Sequence, residues 1–258
     1  MPEPTGIIDL NADVGESFGV YVVGADAELI PLISSVNVAG GLHGGDPQVI
    51  ARTVALAESR GVAVGAHPGY PDLAGFGRRD MDVSPSELRN LILYQVGAVA
   101  AFAAGHRLQH VKPHGAMYHR AARDEEQART IVLALRDYDP RLIHVLLAGS
   151  PWERIARDAG ARVAREAFVD RALLPNGRLL PRSERGAVLH EPALVAERAV
   201  RIATEGRATS IDGTDVLVAA DTLCIHGDTP GAPQLAQVVR RELERAGITI
   251  RAMGEFIP

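Results

Sequence analysis

The chain holds 27 Lys and Arg residues, and a single one of them, Lys112, is a lysine. An ammonium is a compact point charge on a flexible stem. Its retention in a chain that otherwise uses only arginine is either chance survival or the mark of a place where such a charge is required. Lys112 lies in His110-Val-Lys-Pro-His-Gly115, two residues before His114. Residues two apart in a strand share a face. The same parity joins Asp9, Asn11 and Asp13, joins His226 and Asp228, and joins Glu166 and Asp170 around Phe168. Each set falls where an apolar run finishes. Two glycine-rich turns, 40–46 and 65–70, add one histidine apiece, His43 and His67. Glycine there lets the backbone approach a ligand closely.

Taken singly, these residues have plain readings. Asp46 is an N-cap before Pro47, and Arg171, Arg178, Arg182 and Arg185 are solvated charges on a loop. His106, His119, His144 and His190 have no comparable context and read as structural or surface residues. Independent caps would not select His43, His67 and His226 together with the only lysine, so the set reads as a site. A scattered metal site of Asp13, His43 and His67 is an open alternative, because first-row metals need ligand type and geometry rather than adjacency. No phosphate loop, no dinucleotide-type Gly-x-Gly-x-x-Gly after the first strand, no Gly-x-Ser-x-Gly elbow and no His-Glu-x-x-His occurs. Cys224 sits inside an apolar run and reads as core.

The elements that position these groups alternate. Strands are expected at 7–11, 35–39, 62–66, 108–112, 143–148, 162–168 and 223–226, and helices at 48–60, 86–104, 125–136, 152–159, 191–205 and 232–246. Asp46-Pro47 and the capping box Ser84-Pro-Ser-Glu87 start two helices, while Gly61, Gly105, Gly160 and Gly247 end others. Strand then helix, repeated, implies a parallel sheet with helices outside, and ligands bind at the carboxyl ends of such strands. One barrel domain over 1–258 is favoured, with an open doubly wound sheet as the alternative. Residues 248–251 suit an extra strand. Residues 170–190 form an irregular insert with a small hairpin about Asn176-Gly177.

With 47% hydrophobic residues the 258-residue chain can bury a sizeable core, and a net charge of -5 offers no footprint for nucleic acid or membrane. One cysteine excludes an internal disulfide and any Cys-rich zinc site. Met1 to Thr5 lack leader character, and the expected compartment is the cytoplasm.

At the same residues the chain resembles the LamB/YcsF family. The likeness runs through Ile8-Asp-Leu-Asn-Ala-Asp-Val-Gly-Glu-Ser-Phe-Gly19, Asn37-Val-Ala-Gly-Gly-Leu-His-Gly-Gly-Asp-Pro47, the segment from Gly65 to Arg79, and His110 to Tyr118. Glu166 to Arg171, Pro175 to Ser183 and Cys224-Ile-His-Gly-Asp228 continue it. The resemblance implies a distorted seven-stranded (β/α) barrel of the glycoside hydrolase/deacetylase superfamily. It implies cleavage of 5-oxo-L-proline to L-glutamate with ATP as co-substrate, alongside 5-oxoprolinase subunits B and C. Self-association into a homo-oligomer and use of a divalent metal stay open.

On that chemistry Lys112 is expected to stabilise negative charge, and Asp13 or His67 to act as general base, with His114 or His226 as alternatives. Asn11 and Asn37 would orient the ring, and Arg171 and Arg182 would close over an anion. His43, Asp170, His226 and Asp228 complete the expected substrate contacts. A metal-dependent deacetylase is one other reading, and a non-catalytic binding subunit is the second. Two positions depart from the family pattern: Gly40 where Cys is usual, and His119 where Asn commonly follows Tyr. A packing or backbone role is expected for position 40.

Overall fold

The computed structural model describes residues 6–182 and 184–258. Met1 to Thr5 and Ser183 of the insert motif lie outside the described residues. Seven parallel strands close on themselves: β1 (Ile7–Val14), β2 (Ser35–Ala39), β3 (Ala63–His67), β4 (His110–Val111), β5 (Ile143–Leu147), β6 (Arg162–Phe168) and β9 (Thr222–Ile225). The ring is sealed where β9 pairs with both β6 and β1, through Glu166↔Thr222 and Asn11↔Cys224. This excludes the open doubly wound sheet. An eighth short strand, β10 (Thr249–Ile250), extends the start of β1, as the sequence suggested for 248–251.

Helices cover the outside. They are α1 (Asp26–Leu29), α2 (Pro47–Ser59), α3 (Pro85–Ala100), α4 (Gly115–Ala121), α5 (Glu125–Tyr138), α6 (Pro151–Asp158), α7 (Pro192–Glu205) and α8 (Ala232–Arg245). The Asp46 carboxylate caps α2 through the amides of Gln48 and Val49, and Ser84 and Glu87 form the reciprocal capping box of α3. Gly61, Gly105, Gly160 and Gly247 all have positive φ, as expected of residues that end helices. Helix α3 stops at Ala100, short of the expected Ala104, and a separate 3-10 turn follows at Ala104–His106. The sequence reading missed α1 and α4, each two turns or less, and the antiparallel pair β7 (Arg207–Thr209) and β8 (Asp215–Leu217). Segments this short carry too little periodicity to be legible. In the insert, Leu173 bridges Leu179 and Leu174 N–H bonds Arg178 C=O, closing the hairpin about Asn176-Gly177.

Strand parity sorts the barrel into two buried faces. Ile8, Leu10, Ala12 and Val14 pack outward among the helices, while Asp9, Asn11 and Asp13 point inward, all buried. The interior is therefore polar where such barrels are usually filled by branched apolar side chains. Met253 packs with Ile143, Val145 and Ala164 in an apolar cluster of its own.

The departure at position 40 has a packing cause. A Cβ on Gly40 would lie 2.5 Å from the Cβ of Gln95 on α3. The Gln95 Cβ and Cγ fill the space, and its amide holds the 69 turn from both sides, accepting from Gly69 N–H and donating to Gly69 C=O, each at 2.9 Å. Gly40→Cys is expected to overpack this contact and cost about 1–3 kcal/mol. Gln95→Gly in the same chain, which removes the opposing Cβ, should recover part of that loss, and a thermal double-mutant cycle showing no coupling would refute the explanation.

Candidate active site

Three polar layers rise through the barrel. In the lowest, the Asp9 carboxylate accepts from Ser34 Oγ at 2.8 Å, from Ser35 Oγ at 2.6 Å and from the Thr222 hydroxyl. Burial, only partly offset by these bonds, raises its pKa to about 6. In the middle layer Asn11 Nδ2 donates to Thr222 Oγ1 at 2.6 Å and to Glu166 Oε1 at 3.2 Å. Asn37 Nδ2 reaches Asn11 Oδ1 at 2.7 Å and Asp13 Oδ1 at 2.9 Å, and Asn37 Oδ1 is 2.8 Å from His110 Nε2. Burial pulls His110 down to about 3, so its ring is neutral and donates through Nε2. Gly65 makes room for that ring: a Cβ there would sit 2.2 Å from His110 Nε2.

The top layer holds the charges. Lys112 Nζ lies 2.8 Å from Asp13 Oδ1, 2.9 Å from Glu166 Oε1 and 3.0 Å from Cys224 Sγ. Burial works against the ammonium, but the Asp13 carboxylate foremost, with Cys224 and Glu166, holds its pKa well above the ordinary lysine value. Burial likewise works against the Asp13 carboxylate, yet the neighbouring His67 and Lys112 keep it well below the usual range. Cys224 is buried, and burial pushes its thiol well up, which suits the core role read from sequence.

At the strand ends, His67 Nε2 is 3.4 Å from Asp13 Oδ2 and 2.9 Å from His114 Nδ1. Glu16 Oε1 lies 3.3 Å from His43 Nε2 and 3.4 Å from His114 Nδ1. Burial and then the Asp13 charge raise the Glu16 carboxyl well above its ordinary value. Burial lowers His43 and His114 well below theirs. His226 Nδ1 meets both Asp170 oxygens at 2.9 Å, and its ring stacks on Phe168. Despite its burial, Asp170 is held below the usual carboxylate value by His226. These groups face a cavity of about 1060 Å³ lined by Asp13, His67, Lys112, His114, Glu166 and His226 on one side. Arg171 and Arg182 line it from the insert.

The structure thus brings Asp13, His67, Lys112 and His114 into one contact network, with Asn11 and Asn37 beneath them and His43 beside His114. His226, held by Asp170, comes within 4.8 Å of Asp13 and Cys224. Several expectations need correction. Asp228 does not share a partner with His226; it pairs with Arg78 at 2.5 Å, because β9 ends at Ile225 and the parity argument ends with it. Arg171 is no solvated charge. It is buried, donating to Ala187 C=O at 3.2 Å and Leu180 C=O at 2.6 Å, while its Nη1 has no partner among the described residues. His119 lines the cavity near Arg171 and is pulled down to about 3 by burial and that charge.

The expected metal trio also divides. Glu16, His43, His67 and His114 group together, whereas Asp13 falls with Cys224 and His226. Glu16 and Tyr118 were not singled out from sequence. Glu16 follows a positive-φ glycine beyond the strand, where parity no longer applies, and Tyr118 enters from the unrecognised α4. Glu166 was flagged by parity, though not among the site residues.

The family model for the LamB/YcsF family matches residues 8–257. The chain belongs to the LamB/YcsF family. The A subunit of 5-oxoprolinase from Syntrophobacter fumaroxidans is 57% identical, covering 95% of this chain and 98% of that protein. Its counterpart from Thermococcus onnurineus is 52% identical over 97% of this chain and 99% of its own length. The crystal structure of a lactam utilization protein from Thermus thermophilus superposes with a TM-score of 0.90 at 52% identity, covering 95% and 99% of the two chains. A structure of the pneumococcal virulence factor StrH, at 11% identity, reaches a TM-score of 0.52 over 95% of this chain and 84% of that one, and shares the fold alone. This family member is an enzyme with a single-ring parallel barrel.

The raised pKa of Asp9 has a measurable consequence. An acid at 3.8 when unfolded and about 6 when folded contributes stability below pH 4 that is lost as pH rises from there through 6, about 3 kcal/mol in all. Asp9→Asn should therefore gain on the parent protein between pH 4 and pH 7 by about that amount. Urea unfolding curves that stay parallel across this range would rule the assignment out.

Proposed function

We propose that this chain is the lactam-opening component of an ATP-dependent 5-oxoprolinase, converting 5-oxo-L-proline to L-glutamate with subunits B and C. The observation that carries the reading is the Lys112 ammonium, held between Asp13 and Glu166 at the floor of a cavity large enough for a small cyclic amide. The names borne by relatives at 52–57% identity support the substrate.

A five-membered lactam is a poor electrophile. Phosphorylating its amide oxygen with ATP would make it a good one, and opening then requires charge stabilisation on oxygen and an activated water. Lys112 supplies the positive charge without reorganising, because its three neighbours already fix it. Asp13 and His67 form the water-activating pair: Asp13 Oδ1 is anchored by Lys112 and Asn37, which leaves Oδ2, beside His67, to accept a proton. His226 donates through Nδ1 to Asp170, so its Nε2 can take a proton from the medium and, as the imidazolium, hand it to the departing ring nitrogen. The unpartnered Nη1 of Arg171, with Arg182, suits the carboxylate or phosphoryl group of the substrate. The chain carries no phosphate loop, and the ATP step is assigned to the partner subunits together with this one.

Glutamate release from 5-oxoproline and ATP should require this chain and both partners. Lys112→Met should lower the rate by about 100-fold or more, as loss of a charge-stabilising donor does, with complex formation checked separately. Retained glutamate release after combined Asp13→Ala and His67→Ala changes would instead mark a non-catalytic binding subunit.

A further inference from the structure

We infer that Glu16, His67 and His114, with His43 beside them, bind one divalent transition-metal ion of the zinc class. The argument begins with the protons on the rings. His67 Nδ1 faces the Lys112 carbonyl at 2.6 Å and His114 Nε2 faces the Phe76 carbonyl at 2.7 Å. A carbonyl only accepts, so each of these nitrogens carries the ring's N–H. The remaining nitrogens, His67 Nε2 and His114 Nδ1, then present lone pairs to each other at 2.9 Å. Lone pairs at that distance repel unless a cation lies where they converge.

The surrounding donors fit such an ion. Ligand atoms 2.0–2.1 Å from a tetrahedral centre lie about 3.4 Å from one another. Glu16 Oε1 stands 3.4 Å from His114 Nδ1 and 3.3 Å from His43 Nε2. All four side chains are buried, and their ligand atoms fall within 4.8 Å of one another. Metal-bound histidines characteristically donate their other N–H to a carbonyl or carboxylate, and both His67 and His114 do so. His43 lies flat on His114, with centroids 3.8 Å apart. Its Nδ1 has no hydrogen-bond partner among the described residues.

Three imidazoles and one carboxylate suit zinc or its first-row neighbours rather than calcium or magnesium, which prefer oxygen alone. His67 and His114 line the cavity, which gives the ion a path in. The competing cation is a proton shared by His67 and His114, with Asp13 Oδ2 as its counter-charge at 3.4 Å from His67. With metal on His67, Asp13 Oδ2 remains the base of the pair described above. The metal site does not rest on the lactam reading, since binding is measured without substrate.

The test uses the full chain without a histidine tag, stripped with chelator and titrated with Co(II) and Zn(II). One Co(II) per chain is expected, with the visible bands of a four-coordinate ion, and zinc should displace it. His114→Ala and Glu16→Gln, each verified as folded by circular dichroism, should weaken binding by about 100-fold or more, exceeding the cost of losing an outer hydrogen bond. A folded parent protein that takes up neither ion at equimolar concentration overturns the inference in favour of the shared proton. Unchanged affinity in both variants overturns it equally.

Discussion

The structure turns on one buried ammonium. Lys112 is the sole lysine, is nearly inaccessible, and is held by Asp13 from β1 and Glu166 from β6. Removing two carboxylates and an ammonium from water costs several kcal/mol per ion unless geometry and further hydrogen bonds compensate. Several such bonds are present: Asn37 donates to Asp13, Asn11 donates to Glu166, and His110 fixes Asn37, while Glu166 Oε2 has no partner among the described residues. The cluster joins β1, β2, β4, β6 and β9, so it exists only when the ring is closed. Removing one partner would strand the others, which makes the site and the barrel interdependent.

A polar interior requires neutral groups to separate its charges. The layers alternate between charged and neutral members, with Asn11, Asn37 and neutral His110 lying between Asp9 below and the Lys112 cluster above. Glycines supply the remaining space. Gly65 yields to the His110 ring, and Gly40 yields to Gln95, whose amide pins the turn that follows His67. The histidine corner thus stands on backbone fixed from two directions, as preorganised catalytic groups require.

Much of the framework was legible beforehand. Ser35–Ala39 and Arg162–Phe168 have the bounds expected, because short segments carrying Val and other apolar residues and ended by turn residues read as strands. Parity correctly grouped Asp9, Asn11 and Asp13. It failed at Asp228, which lies outside any strand, and had no hold on Glu16 for the same reason. Helix α4 went unseen because seven residues after His114 read as a motif rather than a period, and Tyr118 was lost with it.

Local sequence determined the inventory: one lysine, carboxylates and amides of one parity, and histidines in glycine-rich turns. It did so because period-two alternation and turn chemistry are properties of neighbouring residues. Tertiary structure decided the pairings. Asp13 and Lys112 stand 99 residues apart, and Asn11 and Thr222 stand 211 apart. Ring closure between β1 and β9 set the angle at which all these side chains converge. That closure sent Asp13 to the ammonium and left Glu16 facing the histidines, a division that depends on distance through space and has no trace in spacing along the chain.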